Sequence, residues 1–224
     1  GRTEKHPLVT LSITTCKRFD LFEKTMNSLL NCCLDLHLIG RWICVDDNSS
    51  EEDRQKMREN YPFFEFVMKT PEQKGHPQSM NIIRNMIKSP YLFHMEDDWQ
   101  FICPRRYITD CLDVLSQGDK LGQCLINRNY AETERDFRLV GGHGLTSISG
   151  LRFMVHEHTK NDTEQQEFHK KYGGGFNCSY WPHFSFRPGL NKTFIWKDLG
   201  PFNELISHFE MDFSYKYRDN GFLT

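Results

Sequence analysis

Three adjacent carboxylates interrupt an apolar segment near the middle of the chain. Residues 91–101 read YLFHMEDDWQF, so Glu96, Asp97 and Asp98 follow a run that is typical of a buried strand. Adjacent carboxylates repel one another and are seldom buried without partners. Hard divalent cations such as Mn²⁺ and Mg²⁺ take oxygen ligands and commonly bridge one or two carboxylates to phosphate groups. The triplet therefore predicts a cation site that could neutralise a diphosphate leaving group.

Segments with strand-like and helix-like patterns alternate around this triplet. Apolar, β-rich segments predict strands at 8–14, 41–45, 64–68, 91–95 and 121–127. Amphipathic segments predict helices at 18–33, 49–60, 76–89 and 104–117. This alternation is typical of βαβ units, so we predict an α/β fold with a mainly parallel central sheet flanked by helices.

The second part of the chain has a looser pattern. Its glycine-rich stretches are separated by short strand-like segments at 151–158 and 183–188, and a final helix is predicted at 210–220. A length of 224 residues suits one domain. We therefore expect a single domain over 1–224, with a nucleotide-sugar-binding half at 1–128 and an acceptor-binding half, with a smaller sheet, at 129–224.

Polar residues follow three of the predicted strands. TTCKR follows the first strand, DDNSS the second, and the carboxylate triplet the fourth. In parallel sheets, ligands bind beyond the carboxyl ends of the strands, and these ends lie along one edge. The three polar segments are therefore expected to converge on one binding site at the rim of the sheet.

Taken in order, these segments resemble the motifs of GT-A-fold (Rossmann-like) glycosyltransferases, in particular of glycosyltransferase family 2. The stretch HMEDDW resembles the DxD or EDD motif, and LSITTCKR resembles the first strand and nucleotide-binding loop. WICVDDNSS is similar to VDDGS, KGHPQSMNIIRN to the G-x-x-x-ARN helix, and DLGPFNELISHFEMDFSYKYRDNGF to GGFDE…EDxDLxxRLxxxGY. The resemblance covers most of the chain and leaves 130–190 unmatched.

The resemblance implies roles for individual residues in binding a donor. Asp98 would ligate Mn²⁺ or Mg²⁺, with Glu96 assisting or holding the ribose, and His208 is the candidate third ligand. Asp97 would face the donor sugar. The nucleotide-sugar-binding residues that the resemblance implies are Thr14, Thr15, Arg18, Asp46, Asp47, Asn81, Glu96 and Asp97.

The resemblance also implies a catalytic base. Glu210 falls where inverting members of the family keep the group that takes a proton from the acceptor hydroxyl, and Asp212 falls at the following acid. Phe209 replaces the acid that usually precedes the base, and the spacing from Glu204 is short. Asp212 therefore remains the second candidate for the base.

The resemblance implies a metal-dependent, inverting glycosyltransferase that moves a sugar from a nucleoside-diphosphate sugar, with UDP-sugar favoured, to a hydroxyl of a glycan or other acceptor. A sugar-1-phosphate nucleotidyltransferase is the alternative enzyme, although the glycine-rich segment that such enzymes carry after the first strand is absent from TTCKRFD. A non-catalytic module that binds nucleotide sugars is the alternative from another class.

Composition limits the partners of the chain. The net charge of −2 gives no reason to expect nucleic acid or an anionic membrane surface as a partner. No apolar stretch approaches the 18 residues that a membrane-spanning helix needs. The chain begins without methionine and ends just after a helix-like segment, so a signal or membrane anchor could have been removed.

The cysteines and the glycosylation sequons point to different compartments. None of the eight cysteines lies in a CxxC pair, which favours reduced thiols and a cytoplasmic location. Sequons for N-glycosylation argue the other way, at Asn48, Asn161, Asn177 and Asn191. The sequence leaves the compartment open.

Some histidines and tryptophans have two interpretations. His156 and His158 share one face of a predicted strand and could be a ligand pair, although exposed sheet histidines are the more common case. Trp99, Trp181 and Trp196 could stack on sugar rings or belong to the core.

Overall fold

The computed structural model describes residues 7–126, 139–158 and 184–224. The strands in these ranges are β1 Val9–Thr15, β2 Ile39–Asp46, β3 Glu65–Met68, β4 Tyr91–Glu96, β5 Gln123–Leu125, β6 Leu139–Thr146, β7 Arg152–His158 and β8 Gly189–Lys192. The helices are α1 Phe19–Cys32, α2 Glu51–Asn60, α3 His76–Met86, α4 Tyr107–Leu115, α5 Thr193–Leu199 and α6 Phe209–Asp219.

The central sheet has the strand order β3-β2-β1-β4-β8-β5. Its first four strands are parallel, and β8 pairs antiparallel with both β4 and β5. In this register Thr15 lies beside Asp46 and Thr14 beside Glu96, so the polar strand ends meet along one edge. The prediction of a mainly parallel α/β sheet is confirmed.

Two apolar cores cover the two faces of this sheet. On one face, side chains of β1 such as Leu11 and Ile13 pack with α1 residues including Phe22. On the other face, Ile43 and Val45 of β2 pack with residues of α3, α5 and α6. Because side chains alternate between faces along a strand, the nearly continuous apolar strands fit a sheet buried on both sides.

The second part of the chain contains elements that the sequence pattern did not predict. The glycine-rich segment from residue 139 forms β6, which pairs antiparallel with β7 as a separate two-stranded sheet. The predicted strand at 183–188 is wrong over its described residues, because the strand β8 begins at Gly189. The amides of Ser185 and Phe186 instead donate to the side chains of Gln123 and Glu210, at 3.1 and 3.0 Å.

Asp35 joins the end of α1 to the start of α4, behind the loop that follows the carboxylate triplet. Its buried carboxylate accepts hydrogen bonds from the amide of Ile108 at 3.3 Å and from the amide and hydroxyl of Thr109 at 2.6 and 2.7 Å. Burial acts to raise the pKa of Asp35, but the hydrogen bonds, above all those from Thr109, outweigh it and lower the pKa. Asp35 thus satisfies amides at the helix start that have no partner within the helix.

The structure locates some of the asparagines and tryptophans whose roles the sequence left undecided. Asn191 is buried in the sheet, where its amide donates to backbone carbonyls, so this fold leaves no space for a glycan on its side chain. Trp196 is buried in the core and Trp99 is partly buried. Asn161, Asn177, Trp181 and Cys178 lie outside the described residues, and so does the side chain of His158.

The described ranges contain seven of the eight cysteines and the six helices given above. The cysteines located there are free thiols. Across the same part of the chain, none of the helices combines the length and the apolar character that crossing a bilayer requires.

His156 is partly buried in β7, and burial lowers its pKa to about 4, so its imidazole is neutral at physiological pH.

Candidate active site

The carboxyl ends of β1, β2 and β4 and the start of α3 enclose a cavity of about 290 Å³. We call it the rim cavity; it is lined by Thr14, Thr15, Cys16, Arg18, Asp47, His76, Ser79, Glu96 and Asp98. Six of these residues were expected from the sequence to bind a nucleotide sugar or a cation. The predicted convergence of the strand ends therefore produces a real concave site.

The three adjacent acids do not share one environment. Glu96 and Asp98 line the rim cavity, with side chains that are 30% and 43% exposed. The Asp97 side chain is 0% exposed and accepts hydrogen bonds from Thr15 Oγ1, at 2.7 Å, and from Arg18. This placement differs from the expected contact of Asp97 with a donor sugar, because no carboxylate oxygen of Asp97 is open to the cavity.

The ends of β2 show the same division between neighbouring acids. Asp46 is fully buried, where it accepts from the amide and hydroxyl of Ser49 and from Arg54 Nε at 2.7 Å. The structure thus places Asp46 away from the rim cavity, with both oxygens used within the protein, and not at the expected contact with the nucleoside. Asp47 is the acid of this pair that faces the rim cavity.

Asp47 is held in place by groups from two other elements. Its Oδ2 accepts from the amide of Gly75 at 2.8 Å and lies 3.4 Å from Lys69 Nζ, and its Oδ1 accepts from Asn48 at 2.9 Å. Gly75 has a φ of 122°, a conformation that strains any residue with a side chain. Burial acts to raise the pKa of Asp47, but the hydrogen bond from Gly75 and the other partners outweigh it and lower the pKa.

Lys69 is a buried lysine that the sequence analysis did not select. Its side chain is 0% exposed, and Nζ donates at 2.8 Å to the carbonyl oxygen of Gly75 and at 2.8 Å to Ser79 Oγ, beside Asp47. Burial lowers the pKa of Lys69, and the carboxylate of Asp47 opposes this shift. A polar residue just after a predicted strand, as in the other strand-end motifs, was the signal that could have identified it.

A second, larger cavity opens beside the rim cavity and shares Cys16 and Asp47 with it. Its volume is about 870 Å³, and apolar side chains such as Pro71, Pro77 and Leu205 contribute to its walls. A buried oxygen, Oε1 of Gln78, has no hydrogen-bond partner among the residues that the structure describes. The two cavities together offer room for a nucleotide with an attached sugar.

Glu210 approaches this region from α6, on the other side of the sheet edge. Its Oε1 accepts a hydrogen bond from the amide of Phe186 at 3.0 Å. Burial raises the pKa of Glu210 to about 7, while Phe186 and the charge of Arg187 act in the opposite direction. Phe186, whose amide donates to Glu210, packs against the ring of His76, and His76 Nε2 lies 3.6 Å from Glu96 Oε1. Burial, and then the negative charge of Glu210, raise the pKa of Glu96 to about 8.

Other residues of the expected site lie elsewhere. Asp212 faces Lys216 at 3.5 Å on the surface of α6, and His208 is exposed at the start of that helix. Neither lines the rim cavity. Asn81 exchanges hydrogen bonds with the backbone of Phe202, at 2.8 and 2.9 Å, and donates to Glu204, so its amide anchors a loop instead of meeting a ribose or diphosphate.

His76, which the sequence analysis did not select, occupies the position near Glu96 that His208 does not. Its Nε2 lies 3.6 Å from Glu96 Oε1, and its ring packs against Phe186 and Phe209 with centroids 5.8 and 5.1 Å apart. His76 begins α3 and immediately follows Gly75, inside the stretch that resembles the G-x-x-x-ARN helix. A histidine within that motif was the available signal.

The residues at the rim cavity suit a divalent cation that is shared with a ligand. No group of three His, Cys, Asp or Glu side chains is arranged as a metal site in residues 7–126, 139–158 and 184–224. The carboxylates of Glu96 and Asp98 line one cavity, however. Burial, and then the negative charges of Glu210, Asp98 and Asp97, raise the pKa of Glu96, and the positive charge of Arg18 offsets this shift only in part. Two carboxylates with phosphate oxygens form a common site for Mg²⁺ or Mn²⁺.

This sheet order, with its polar strand ends, is the GT-A fold, and structures of glycosyltransferases with similar architecture support the assignment. A mannosyltransferase from Pyrobaculum calidifontis, in complex with GDP-Man and Mn²⁺, superposes with a TM-score of 0.62 at 14% identity, over 98% of this chain and 54% of its own. TarS of S. aureus (residues 1–349) gives 0.58 at 13% identity, over 93% and 54%.

A third similar structure is GalNAc-T7 with UDP, GalNAc and Mn²⁺, with a TM-score of 0.61 at 12% identity over 98% of this chain and 42% of its own. The chain therefore spans about half the length of these proteins, and the likeness concerns the fold. No model of a protein family matches the sequence, and no curated protein matches it.

Proposed function

We propose that the protein is a metal-dependent, inverting glycosyltransferase that moves a sugar from a nucleoside-diphosphate sugar to a hydroxyl of a glycan or other acceptor. The observation that carries the proposal is that Glu96, Asp98 and Asp47 line one cavity at the strand ends of a GT-A fold. Contacts through Phe186 and His76 connect Glu210 to Glu96. UDP-sugars are the donors we favour, and the similar structures hold UDP or GDP-Man together with Mn²⁺.

The carboxylates of Glu96 and Asp98 would hold the cation. When bound, Mn²⁺ or Mg²⁺ would supply positive charge that stabilises the departing diphosphate. Asp47, whose orientation is fixed by Lys69 and Gly75, would accept hydrogen bonds from the nucleoside. The adjoining cavity beside Cys16 and Pro71 has the volume to take the rest of the donor.

Glu210 would act as the general base on the acceptor side. The acceptor oxygen forms a bond to the anomeric carbon while the bond to the diphosphate breaks, and the hydroxyl proton moves to Glu210. Attack opposite the leaving group inverts the anomeric centre. A carboxyl with a pKa of about 7 suits this role, because efficient acid–base catalysts have pKa values near the operating pH.

Thermal unfolding with and without nucleotides tests the donor site. UDP, GDP or TDP at millimolar concentration with Mn²⁺ should raise Tm, because a ligand that binds only the folded state stabilises it by about 2.7 kcal/mol at one hundred times its Kd. For a chain of this length, that corresponds to roughly 5–10 °C. The matched control is Asp47→Asn, in which the shift should shrink. No shift with any of the three diphosphates would contradict the proposal.

Turnover assays separate the proposal from its two alternatives. Metal-dependent release of nucleoside diphosphate from a nucleotide sugar is expected of a glycosyltransferase. A nucleotidyltransferase would instead release inorganic diphosphate from a nucleoside triphosphate and a sugar 1-phosphate. Nucleotide binding without either reaction, across a panel of donors and acceptors, would identify a binding module.

A further inference from the structure

Arg18 is positioned as a fixed cation beside the acid that we expect to bind the metal. Its Nε and Nη2 donate to the carboxylate of Asp97, with Nε at 3.3 Å from Oδ2. The remaining nitrogen, Nη1, lies 3.6 Å from Asp98 Oδ2. The side chains of Arg18 and Asp98 are both partly exposed, at 45% and 43%, so this second contact lies at the open side of the cavity.

Arg18 is held more firmly by its contact with Asp97 than by its contact with Asp98. The carboxylate of Asp97 is buried and also accepts from Thr15 Oγ1 at 2.7 Å, while the carbonyl oxygen of Asp97 accepts from Thr25 Oγ1 at 2.8 Å. Guanidinium groups form rigid two-pronged contacts with carboxylates. Arg18 can therefore keep both bonds to Asp97 while Nη1 exchanges one partner for another.

We propose that Arg18 is the counter-cation of Asp98 in the nucleotide-free protein and that it makes divalent-cation binding depend on diphosphate binding. Without a nucleotide, Nη1 competes with the divalent cation for Asp98. When a diphosphate enters the rim cavity, Nη1 can donate to a phosphate oxygen, which releases Asp98 to the cation. The inference rests on the proposed function, because it takes Asp98 and Glu96 as the cation site.

The proposal predicts whether the removal of Arg18 strengthens or weakens the binding of Mn²⁺. If Arg18 were only a phosphate ligand, its removal would weaken nucleotide binding and leave the affinity for Mn²⁺ alone unchanged. As a competitor, its removal should tighten the binding of Mn²⁺ alone. We expect a gain of roughly 5- to 50-fold at low ionic strength, within the usual range of coupling between two sites. The gain should shrink with added salt, since both groups are partly exposed.

The experiment measures Mn²⁺ binding by calorimetry in the wild type, Arg18→Gln and Arg54→Gln, first alone and then with saturating UDP. Arg54 is the matched control, because it also pairs with a buried aspartate at a strand end, Asp46, and has no contact with Asp98. UDP should tighten Mn²⁺ binding in the wild type and in Arg54→Gln, and much less in Arg18→Gln. GDP replaces UDP if the wild type binds only GDP.

The measurements of Mn²⁺ binding without nucleotide test the inference separately from the proposed function. If no nucleoside diphosphate binds the wild type, the proposed function fails, while the comparison of Mn²⁺ affinities still tests competition by Arg18. A Mn²⁺ affinity in Arg18→Gln that is equal to or weaker than that of the wild type would overturn the inference, and so would the absence of measurable Mn²⁺ binding to Arg18→Gln.

A measurement on the wild type covers the case in which Arg18→Gln does not fold. The guanidinium signals of Arg18 can be followed by NMR while diamagnetic Mg²⁺ is added, with Arg54 as the internal reference. The Arg18 signals should shift as Mg²⁺ saturates the site, and those of Arg54 should stay in place. Arg18 signals that do not move at saturating Mg²⁺ would refute the competition.

Discussion

Replacing Lys69 with methionine is expected to destabilise the protein at the rim cavity more than the replacement of any exposed lysine. Methionine matches the length of the lysine stem but has no ammonium group, so Asp47, the Gly75 carbonyl and Ser79 Oγ lose a shared donor. These partners belong to three separate segments: the end of β2, the loop before α3, and α3 itself. The ammonium group of Lys69 contacts all three segments and adds to the direct hydrogen bonds from the Gly75 amide to Asp47 and from Ser79 Oγ to the Gly75 carbonyl.

The magnitude follows from the burial of the two charges. Removing one partner of a buried ion pair typically costs about 3–5 kcal/mol. Lys69 is fully buried, but the Asp47 side chain is 14% exposed and water can partly solvate its charge. We therefore expect Lys69→Met to lower the free energy of unfolding by about 2–4 kcal/mol. At this chain length, that corresponds to a Tm lower by roughly 5–15 °C.

Denaturant unfolding of four proteins tests this prediction: the wild type, Lys69→Met, Asp47→Asn and the double variant. Because the two side chains are in contact, the double variant should lose less than the sum of the single losses, with a coupling of about 0.5–3 kcal/mol. Lys56→Met is the control, since Lys56 is exposed and its loss should matter by less than about 0.5 kcal/mol. A Lys69→Met loss below about 1 kcal/mol, or strict additivity, would refute the reasoning.

Further predictions concern the cation site, the base and the acid stability of the fold. Asp98→Asn should fold normally, because Asp98 is partly exposed, and should weaken Mn²⁺-assisted UDP binding in calorimetry; unchanged metal dependence would contradict its role. Glu210→Gln should cut turnover by about 10²–10⁴ while nucleotide affinity stays within a few-fold, with Asp212→Asn near the wild-type rate. A near-normal rate in Glu210→Gln, or a product with the donor's anomeric configuration by NMR, would count against this assignment. Asp35 has a lowered pKa in the folded state, so its contribution is present at neutral pH and lost as pH falls below about 4. Asp35→Asn should therefore be less stable than the wild type in urea at pH 7, with a smaller difference at pH 3; an equal difference at both pH values would contradict this linkage.

The arrangement of strands and the location of the site could be predicted because both follow from local sequence patterns. Apolar strands that alternate with amphipathic helices determine a mainly parallel sheet, and such a sheet collects its strand ends at one edge. The residues Thr14, Asp47 and Glu96 therefore reached the rim cavity as expected. Nothing beyond the order of the elements was needed for that inference.

The orientation of individual acids could not be predicted, because it depends on partners distant in sequence. Asp97 is buried because Arg18 and Thr15, on the first strand and its loop, donate to it. Asn81 lies within a motif that suggested ligand binding, but Phe202 and Glu204 occupy its amide group.

Lys69 is a residue whose contacts the sequence did not predict. Lysines are almost never fully buried unless they are paired. Its pairing requires that Asp47, Gly75 and Ser79 be brought together by the completed fold. No periodic pattern in the sequence marks such a contact.

The position of β8 determines the order in which this protein can complete its folding. Strands β1 to β4 all lie between Val9 and Glu96, whereas β8 comes much later in the chain and pairs Lys192 with Tyr91 and Gly189 with His94. Closing such a long loop is entropically costly and slows the formation of the contact. Until β8 docks, β4 exposes an unpaired edge, which is a hazard for association with other chains.

The segment that closes this edge is followed directly by α5 and then by α6, which carries Glu210. A nascent chain that has not yet reached residue 189 can therefore have formed strands β1 to β4, with the edge of β4 unpaired, but it lacks Glu210, the base that we propose. We expect protection of β4 amides in pulsed hydrogen exchange and the appearance of turnover to occur in the same kinetic phase of refolding. The docking of β8, the last strand to join the sheet, would then complete the native fold and allow turnover in the same step.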